Sequence, residues 1–357
     1  MTWICRPGTR GAPAHPLTRR RIVADAGDGA PRPRVTVIGE ALIDLVPLAD
    51  PGSYRARPGG SGFNVAIALA RLGHRTAPMA RFADNAFGNL LRSHAEAAGL
   101  DLGYAPLATE PTTLAVVSLD RDGRASYDFY MQGTADWQWS DAELARLPAD
   151  TAVLHTGSLA AWTSPGSEVI HAATARLHQD DRTLISYDPN VRPATLRKPA
   201  TARQRIEPSV SVAHVVKASS EDVEWLYPDT SRDQVAKRWL DLGALLVVIT
   251  DGPRGADFFS PALPPAQRPG REIRLADTIG AGDAFTAGLL GGLARRGVCT
   301  PDLLRGCPLD LIADVVDEAV LVSALTCERV GADPPYAADS TWSAPLAPIT
   351  PADLSSR

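Results

Sequence analysis

Two glycine-rich clusters in this sequence carry side chains whose types and spacing could do chemistry. The later one, Asp277-Thr278-Ile279-Gly280-Ala281-Gly282-Asp283-Ala284-Phe285, runs straight into a helical stretch at Thr286–Leu293. Backbone N–H groups of Gly280, Ala281 and Gly282 at a helix start form a ready anion site, because donors of the first turn lack helical acceptors. An acid in that place, Asp283, makes sense if it accepts a proton from a nucleophile attacking the bound anion. Helix capping would account for Asp283 through the helix dipole but would leave the two glycines unexplained. The earlier cluster, Pro58-Gly59-Gly60-Ser61-Gly62-Phe63-Asn64, precedes a second helical stretch, Asn64–Leu72, stopped by Gly73. Its glycines let a ligand approach the backbone, and Asn64 offers both a donor and an acceptor to a hydroxyl. The alternative is a flexible turn with Asn64 as the helix N-cap.

The elements around these clusters decide whether they can meet. Arg34–Gly39 (RVTVIG) reads as a first strand, and Ala152–His155, Thr183–Tyr187, Ala213–Val216 and Leu245–Thr250 as later ones. Helical stretches separate them, among them Ala86–Ala98, stopped by Gly99. Such alternation implies an α/β fold with a mostly parallel sheet covered on both faces. One section breaks the rhythm. Thr112–Leu119, a turn at Asp120-Arg121-Asp122-Gly123 and Ala125–Tyr130 read as a β-hairpin that, with the segment after Val46, makes a small flap. Ligands of open α/β sheets bind beyond the carboxyl ends of the strands. Reading past those ends gives Asp44, Asp188-Pro189-Asn190, Lys217 and Thr250-Asp251-Gly252. Each is an ordinary loop or cap residue singly; together, four strand ends deliver polar groups to one edge.

Composition removes several alternatives. The 357 residues have a formal charge of −5, with 45% apolar and 22% charged types, which suits one large α/β domain or two average ones. An acidic balance argues against nucleic acid as a partner, and no apolar run reaches the length of a membrane span. The four cysteines show no CxxC spacing, so neither a zinc site nor a disulfide framework is expected, and a reducing cytoplasm is the expected setting. Three lysines and no GxxxxGK[ST] exclude a P-loop. A GxGxxG begun at Gly280 fails at Phe285, and Gly59–Phe63 misses GxSxG at its last position. The histidines show no metal spacing. Residues 1–34, with seven Arg, two Asp and five Pro, lack the apolar run of a secretory signal and are expected to be a disordered extension, with a transit-like leader as the alternative. The Pro-rich stretch from Asp333 onward is expected to be a surface tail.

The two clusters, with GEALIDLVP at Gly39–Pro47, PGGSGFNVAIALARLG at Pro58–Gly73 and DTIGAGDAFTAGLL at Asp277–Leu290, resemble the ribokinase-like, or PfkB-type, carbohydrate kinases, within them the fructokinase branch. FADNAFGNLLRSHAEAAG, DPNVRP at Asp188–Pro193 and a late helix ending near Cys327 extend the resemblance over roughly residues 35–340. It implies a three-layer sandwich with a sheet of eight or nine strands and a β lid from about 45–60 and 110–135, followed by a tail at 341–357. It implies ATP-dependent phosphorylation of a primary sugar hydroxyl, fructose first, with Mg2+ and in many members K+. Asp44, Gly59, Gly60 and Asn64 match the sugar positions, Asp283 the general base, and Gly280, Ala281 and Gly282 the anion hole. Lys217, Thr250, Asp251 and Gly252 match the nucleotide region, Glu221 and Asp222 the Mg2+ region, and Asp277 and Thr278 the monovalent-cation region. A homodimer through the lid is implied as well.

The sequence departs from the family pattern at two places. An Asn-x-x-Glu segment is replaced by Ser219-Ser220-Glu221-Asp222, and Phe129-Tyr130 is followed by Met131 where many members have Arg. Alternatives are a kinase for a ribose-like sugar, 2-keto-3-deoxygluconate or a nucleoside, and a non-catalytic sensor on the same fold. Intact Gly280, Gly282 and Asp283 speak against the sensor.

Overall fold

Side chains of the central strands alternate between two cores. Val35, Val37, Val153, Leu184, Val215, Leu246 and Val248 face one core, and Ile38, Leu154, Ile185, Val216, Val247 and Ile249 face the other. A sheet apolar on both faces must be covered on both. The helices Ser61–Arg71, Ala281–Arg295 and Leu309–Cys327 fill the first side, and Gly166–Asp180, Pro199–Ser211 and Arg232–Asp241 the second. The result is a three-layer α/β sandwich, in a computed structural model that describes residues 32–50, 52–119 and 125–339. Residues 1–31, the turn at Asp120–Gly123 and the tail at 341–357 lie outside the described residues.

The main sheet has eight strands in the order Leu263–Arg268, Ala256–Ser260, Leu246–Thr250, Val215–Ser219, Leu184–Asp188, Thr151–Gly157, Arg34–Ile38 and Arg75–Met79. All pairings are parallel except the two made by Ala256–Ser260. Both edge strands, Arg75–Met79 and Leu263–Arg268, escape the sequence reading because they contain prolines, which edge strands tolerate where central ones do not. The strand expected at Ala213–Val216 runs instead from Val215 to Ser219, so Lys217 lies within it rather than beyond its end. The helix expected from Asn64 begins at Ser61, and the one expected from Thr286 begins at Ala281.

A second sheet, ordered Tyr54–Gly59, Leu42–Pro47, Leu114–Leu119 and Ala125–Tyr130, forms the lid. Leu114–Leu119 and Ala125–Tyr130 pair antiparallel as the expected hairpin, and Leu42–Pro47 joins them in parallel. The Asp333 segment is no free tail over its first residues. Arg71 donates to Asp333 and to the Pro334 carbonyl, and its guanidinium lies 4.9 Å from the centroid of the Tyr336 ring.

Candidate active site

The Ala281–Arg295 helix is apolar nearly all round and buried along most of its length, which holds its first turn in a fixed place. Gly280 caps it in the left-handed conformation, φ 77°, and a β-carbon there would lie 2.7 Å from that of Ala332. Both conformation and space therefore demand glycine. Asp283, in the first turn, points away from its own helix toward the first turn of Ser61–Arg71. Ser61 Oγ donates to its Oδ1 at 2.7 Å and Asn64 Nδ2 to its Oδ2 at 2.8 Å. The starts of two helices thus converge on one carboxylate. Asn64 is not the N-cap; Gly60 is, with φ 104°.

Glu40 builds this junction from below. Its carboxylate, 1% exposed, accepts from Ser61 N at 2.9 Å and from Ala160 N at 3.2 Å. The next residue, Ala41, donates its N–H to the buried Asp136 at 2.8 Å. Chain direction is therefore pinned where the main sheet passes into the lid. Two residues into the lid strand stands Asp44, whose carboxylate lies over Gly59: a β-carbon on Gly59 would sit 2.1 Å from Asp44 Oδ2. Burial pushes the Asp44 carboxyl up to about 6; the charge of Arg192 pulls it down and that of Asp283 pushes it further up. Burial likewise raises Asp283 to about 6, opposed by its bonds to Ser61 and Asn64 and by the Lys217 charge, and reinforced by Asp188. The two acids feel each other, as groups facing one small space must.

Lys217 lies beside the first turn of the Ala281–Arg295 helix. Its ammonium, 4% exposed, donates to Asp188 Oδ2 at 2.9 Å, and a β-carbon on Gly282 would approach it to 3.1 Å. Asp188 Oδ1 accepts from Asn190 N at 2.9 Å, which shapes the DPNVRP turn. Arg192 of that turn makes no carboxylate pair among the described residues, and its side chain bonds only the carbonyls of Asn190 and Val191. The N–H of Ala281 is already bonded to the Thr278 carbonyl at 3.2 Å, so Gly282 and Asp283 supply the open donors of the turn.

The remaining candidates are arranged along the same edge in other roles. Asp222 is buried, and its two oxygens accept from Val191 N at 2.9 Å and Ser219 N at 3.1 Å in a capping box. Glu221 beside it is exposed and makes no ion pair among the described residues. Asp251 accepts from Arg254, Arg232 and Ser220, and its hydrogen bonds, that from Arg254 first, hold it well below the usual carboxylate range. Thr250 ends its strand next to it, and Gly252 opens the turn that follows. Asp277 accepts from Ile279 N and Gly331 N, at 3.1 and 2.7 Å, while Thr278 is exposed. No cluster of three or more metal-binding side chains exists among the described residues, and none of their helices is long and apolar enough to cross a membrane.

The structure therefore gathers Asp44, Gly59, Gly60, Asn64, Gly280, Gly282, Asp283 and Lys217 into one site and adds Ser61, Glu40 and Arg192, which sequence reasoning passed over. Ser61 lay inside the quoted glycine cluster, and its hydroxyl was the available signal. Chemically, a carboxylate pushed up by burial to about 6, beside open N–H donors and a cation, can take a proton from a hydroxyl while an anion is held.

A family model described as "pfkB family carbohydrate kinase" matches residues 32–338. A fructokinase of Rhizobium leguminosarum bv. trifolii is 36% identical over 266 residues, 73% of this chain and 80% of that protein. Fructokinase-2 of Zea mays is 34% identical over 271 residues, again 73% and 80%. Among solved structures, fructokinase of Vibrio cholerae O395 with fructose, ADP and calcium ion aligns with a TM-score of 0.73 and 30% identity, over 84% of this chain and 94% of that one. A double mutant of that enzyme carries fructose, ADP and potassium ion, with a TM-score of 0.73, 29% identity and coverage of 84% and 93%. The ATP-bound fructokinase of Xylella fastidiosa aligns with a TM-score of 0.75 and 27% identity, over 84% and 94%.

Proposed function

The chain belongs to the pfkB family of carbohydrate kinases, and from that premise we propose that it transfers the γ-phosphoryl group of ATP to a primary hydroxyl of fructose. One observation carries the mechanistic part: Asp283, held by Ser61 and Asn64, stands in the first turn of a glycine-capped helix with Lys217 beneath. Fructose as acceptor is supported by the fructokinase relatives and by the sugar bound in the Vibrio enzyme.

Asp44 and Asn64 bind sugar hydroxyls, Asp44 as an acceptor for two neighbouring groups and Asn64 as both donor and acceptor. Asp283 takes the proton of the primary hydroxyl as its oxygen attacks the γ-phosphorus in line. Open N–H groups of Gly282 and Asp283, with the Lys217 ammonium, face the charge that develops. Thr250, Asp251 and Gly252 flank the nucleotide from the neighbouring strand end. The donor set fits a magnesium ion carried by the nucleotide phosphates rather than a protein cage: Glu221 is free to order its water shell, whereas Asp222 is spent on two main-chain donors. Bound there, the ion supplies charge neutralisation of the phosphates. Asp277 keeps one acceptor lone pair on each oxygen beside its main-chain bonds, which suits a monovalent cation held with neighbouring carbonyls. The lid edges, with exposed Tyr54, Tyr127 and Tyr130, fit pairing of two copies. Cys299, Cys307 and Cys327 are free, as a cytoplasmic setting expects.

ADP release from Mg-ATP across fructose, ribose, 2-keto-3-deoxygluconate, adenosine and inosine tests the reading. Preference for fructose supports it, and preference for another acceptor overturns the substrate.

A further inference from the structure

We propose that Ser61 is a positioning residue for the phosphoryl transfer: its hydroxyl holds Oδ1 of Asp283 and favours the ionised carboxylate, leaving Oδ2, shared with Asn64, to meet the sugar hydroxyl. This deepens the assignment of Asp283 as the base and rests on it.

Ser61 is fixed at both ends. Its N–H donates to Glu40 Oε1 at 2.9 Å, and its Oγ donates to Asp283 Oδ1 at 2.7 Å. Glu40 is itself locked, since its second oxygen takes Ala160 N and a β-carbon on Gly60 would lie 2.4 Å from the Glu40 carbonyl. The hydroxyl is not spent on capping its own helix: Gly60 holds the cap position, and no side chain bonds to the cap. Among the described residues its hydroxyl bonds to the base alone. Ser61 is 8% exposed, so water competes poorly for that bond.

A hydrogen bond donated to a carboxylate stabilises the charged form. Asp283 needs that help, because burial alone pushes it up and Asp188 adds to the push, while Lys217 and Asn64 oppose it. Asp44, on the lid strand Leu42–Pro47, feels the Asp283 charge, which disfavours two simultaneous charges. Ser61 and Asn64 play unequal parts. Asn64 has donor and acceptor to turn toward a sugar, whereas Ser61, clamped by Glu40, has only the base to serve.

The test is the pH profile of kcat/KM for fructose with saturating Mg-ATP, which reports ionisations of the free enzyme. In Ser61→Ala the acid limb is expected to move up by about one pH unit, the size of one lost bond to a charged group. KM for fructose at high pH is expected to stay within about twofold, because Ser61 is not a sugar ligand. Ser61→Thr, which restores a hydroxyl, is expected to return the limb. Ser61→Gly carries the same expectation as Ser61→Ala should the alanine pack badly. An acid limb at its wild-type position in the hydroxyl-less variants, with turnover intact, overturns the proposal. Undiminished turnover in Asp283→Asn instead removes the base, and this inference with it.

Discussion

Lys217 Nζ donates to Asp188 Oδ2 at 2.9 Å, and a β-carbon on Gly282 would stand 3.1 Å from the same nitrogen. The cation is therefore tied from below by Asp188 and faces the glycine-capped first turn of the Ala281–Arg295 helix. Removing one member of a buried pair costs about 3–5 kcal/mol, because the other charge is left unpaired. Lys217→Met is expected to lower the melting temperature and turnover together. Adding Asp188→Asn is expected to recover most of the stability but not the activity. Thermal unfolding alongside ADP release reads both, and a fully active double variant contradicts the role given to Lys217.

Gly60 separates backbone conformation from space. Gly60→Ala must place a β-carbon 2.4 Å from the Glu40 carbonyl at φ 104°, and inactivation is expected. Gly99 also has positive φ, 82°, with nothing within 4 Å, so Gly99→Ala is expected to cost only about 1 kcal/mol and to leave kcat unchanged. Equal effects of the two substitutions on kcat would count against the tight junction described.

Acid is expected to shut the enzyme down near pH 6. Asp44 and Asp283, both raised to about 6, must be ionised to accept hydrogen bonds and a proton, so activity is present above that value and lost as pH falls through it. Because two coupled groups titrate, log kcat/KM is expected to fall with a slope steeper than one. A flat profile down to pH 5 contradicts this electrostatic account.

Glu221 and Asp222 are neighbours with opposite expected phenotypes. Glu221→Gln, at an exposed carboxylate, is expected to leave the melting temperature unchanged and to raise the Mg2+ concentration needed for half-maximal rate. Asp222→Ala frees two main-chain donors, that of Val191 buried and that of Ser219 half-buried, and is expected to cost about 1–3 kcal/mol of stability. Chelation of Mg2+ is expected to abolish turnover in every variant. Swapped phenotypes would mean that Asp222, not Glu221, meets the metal's water shell.

Most of the site was legible because its residues are punctuated by glycine. Gly59, Gly60, Gly280 and Gly282 mark close approaches that pattern alone reveals, and Asp44, Asn64, Lys217 and Asp283 follow from their neighbourhood. Glu40, Ser61 and Arg192 were not, because their significance lies in pairings across long sequence separations, such as 222 residues between Ser61 and Asp283. Central strands declared themselves by apolar runs, whereas the proline-bearing edges Arg75–Met79 and Leu263–Arg268 carry no such run. Helix starts were set too late at both clusters, since Ser61, Gly62, Ala281 and Gly282 look like loop or neutral residues until the buried helices behind them impose their geometry.

The central claim is that Asp283 removes the proton of the attacking hydroxyl, and Asp283→Asn tests it most directly. The variant keeps the shape of the side chain and loses its basicity. With Mg-ATP and fructose its kcat is expected to fall by at least about 10²-fold, while fructose binding, read by calorimetry, is largely retained. Turnover near the wild-type rate in a folded Asp283→Asn protein would contradict the account.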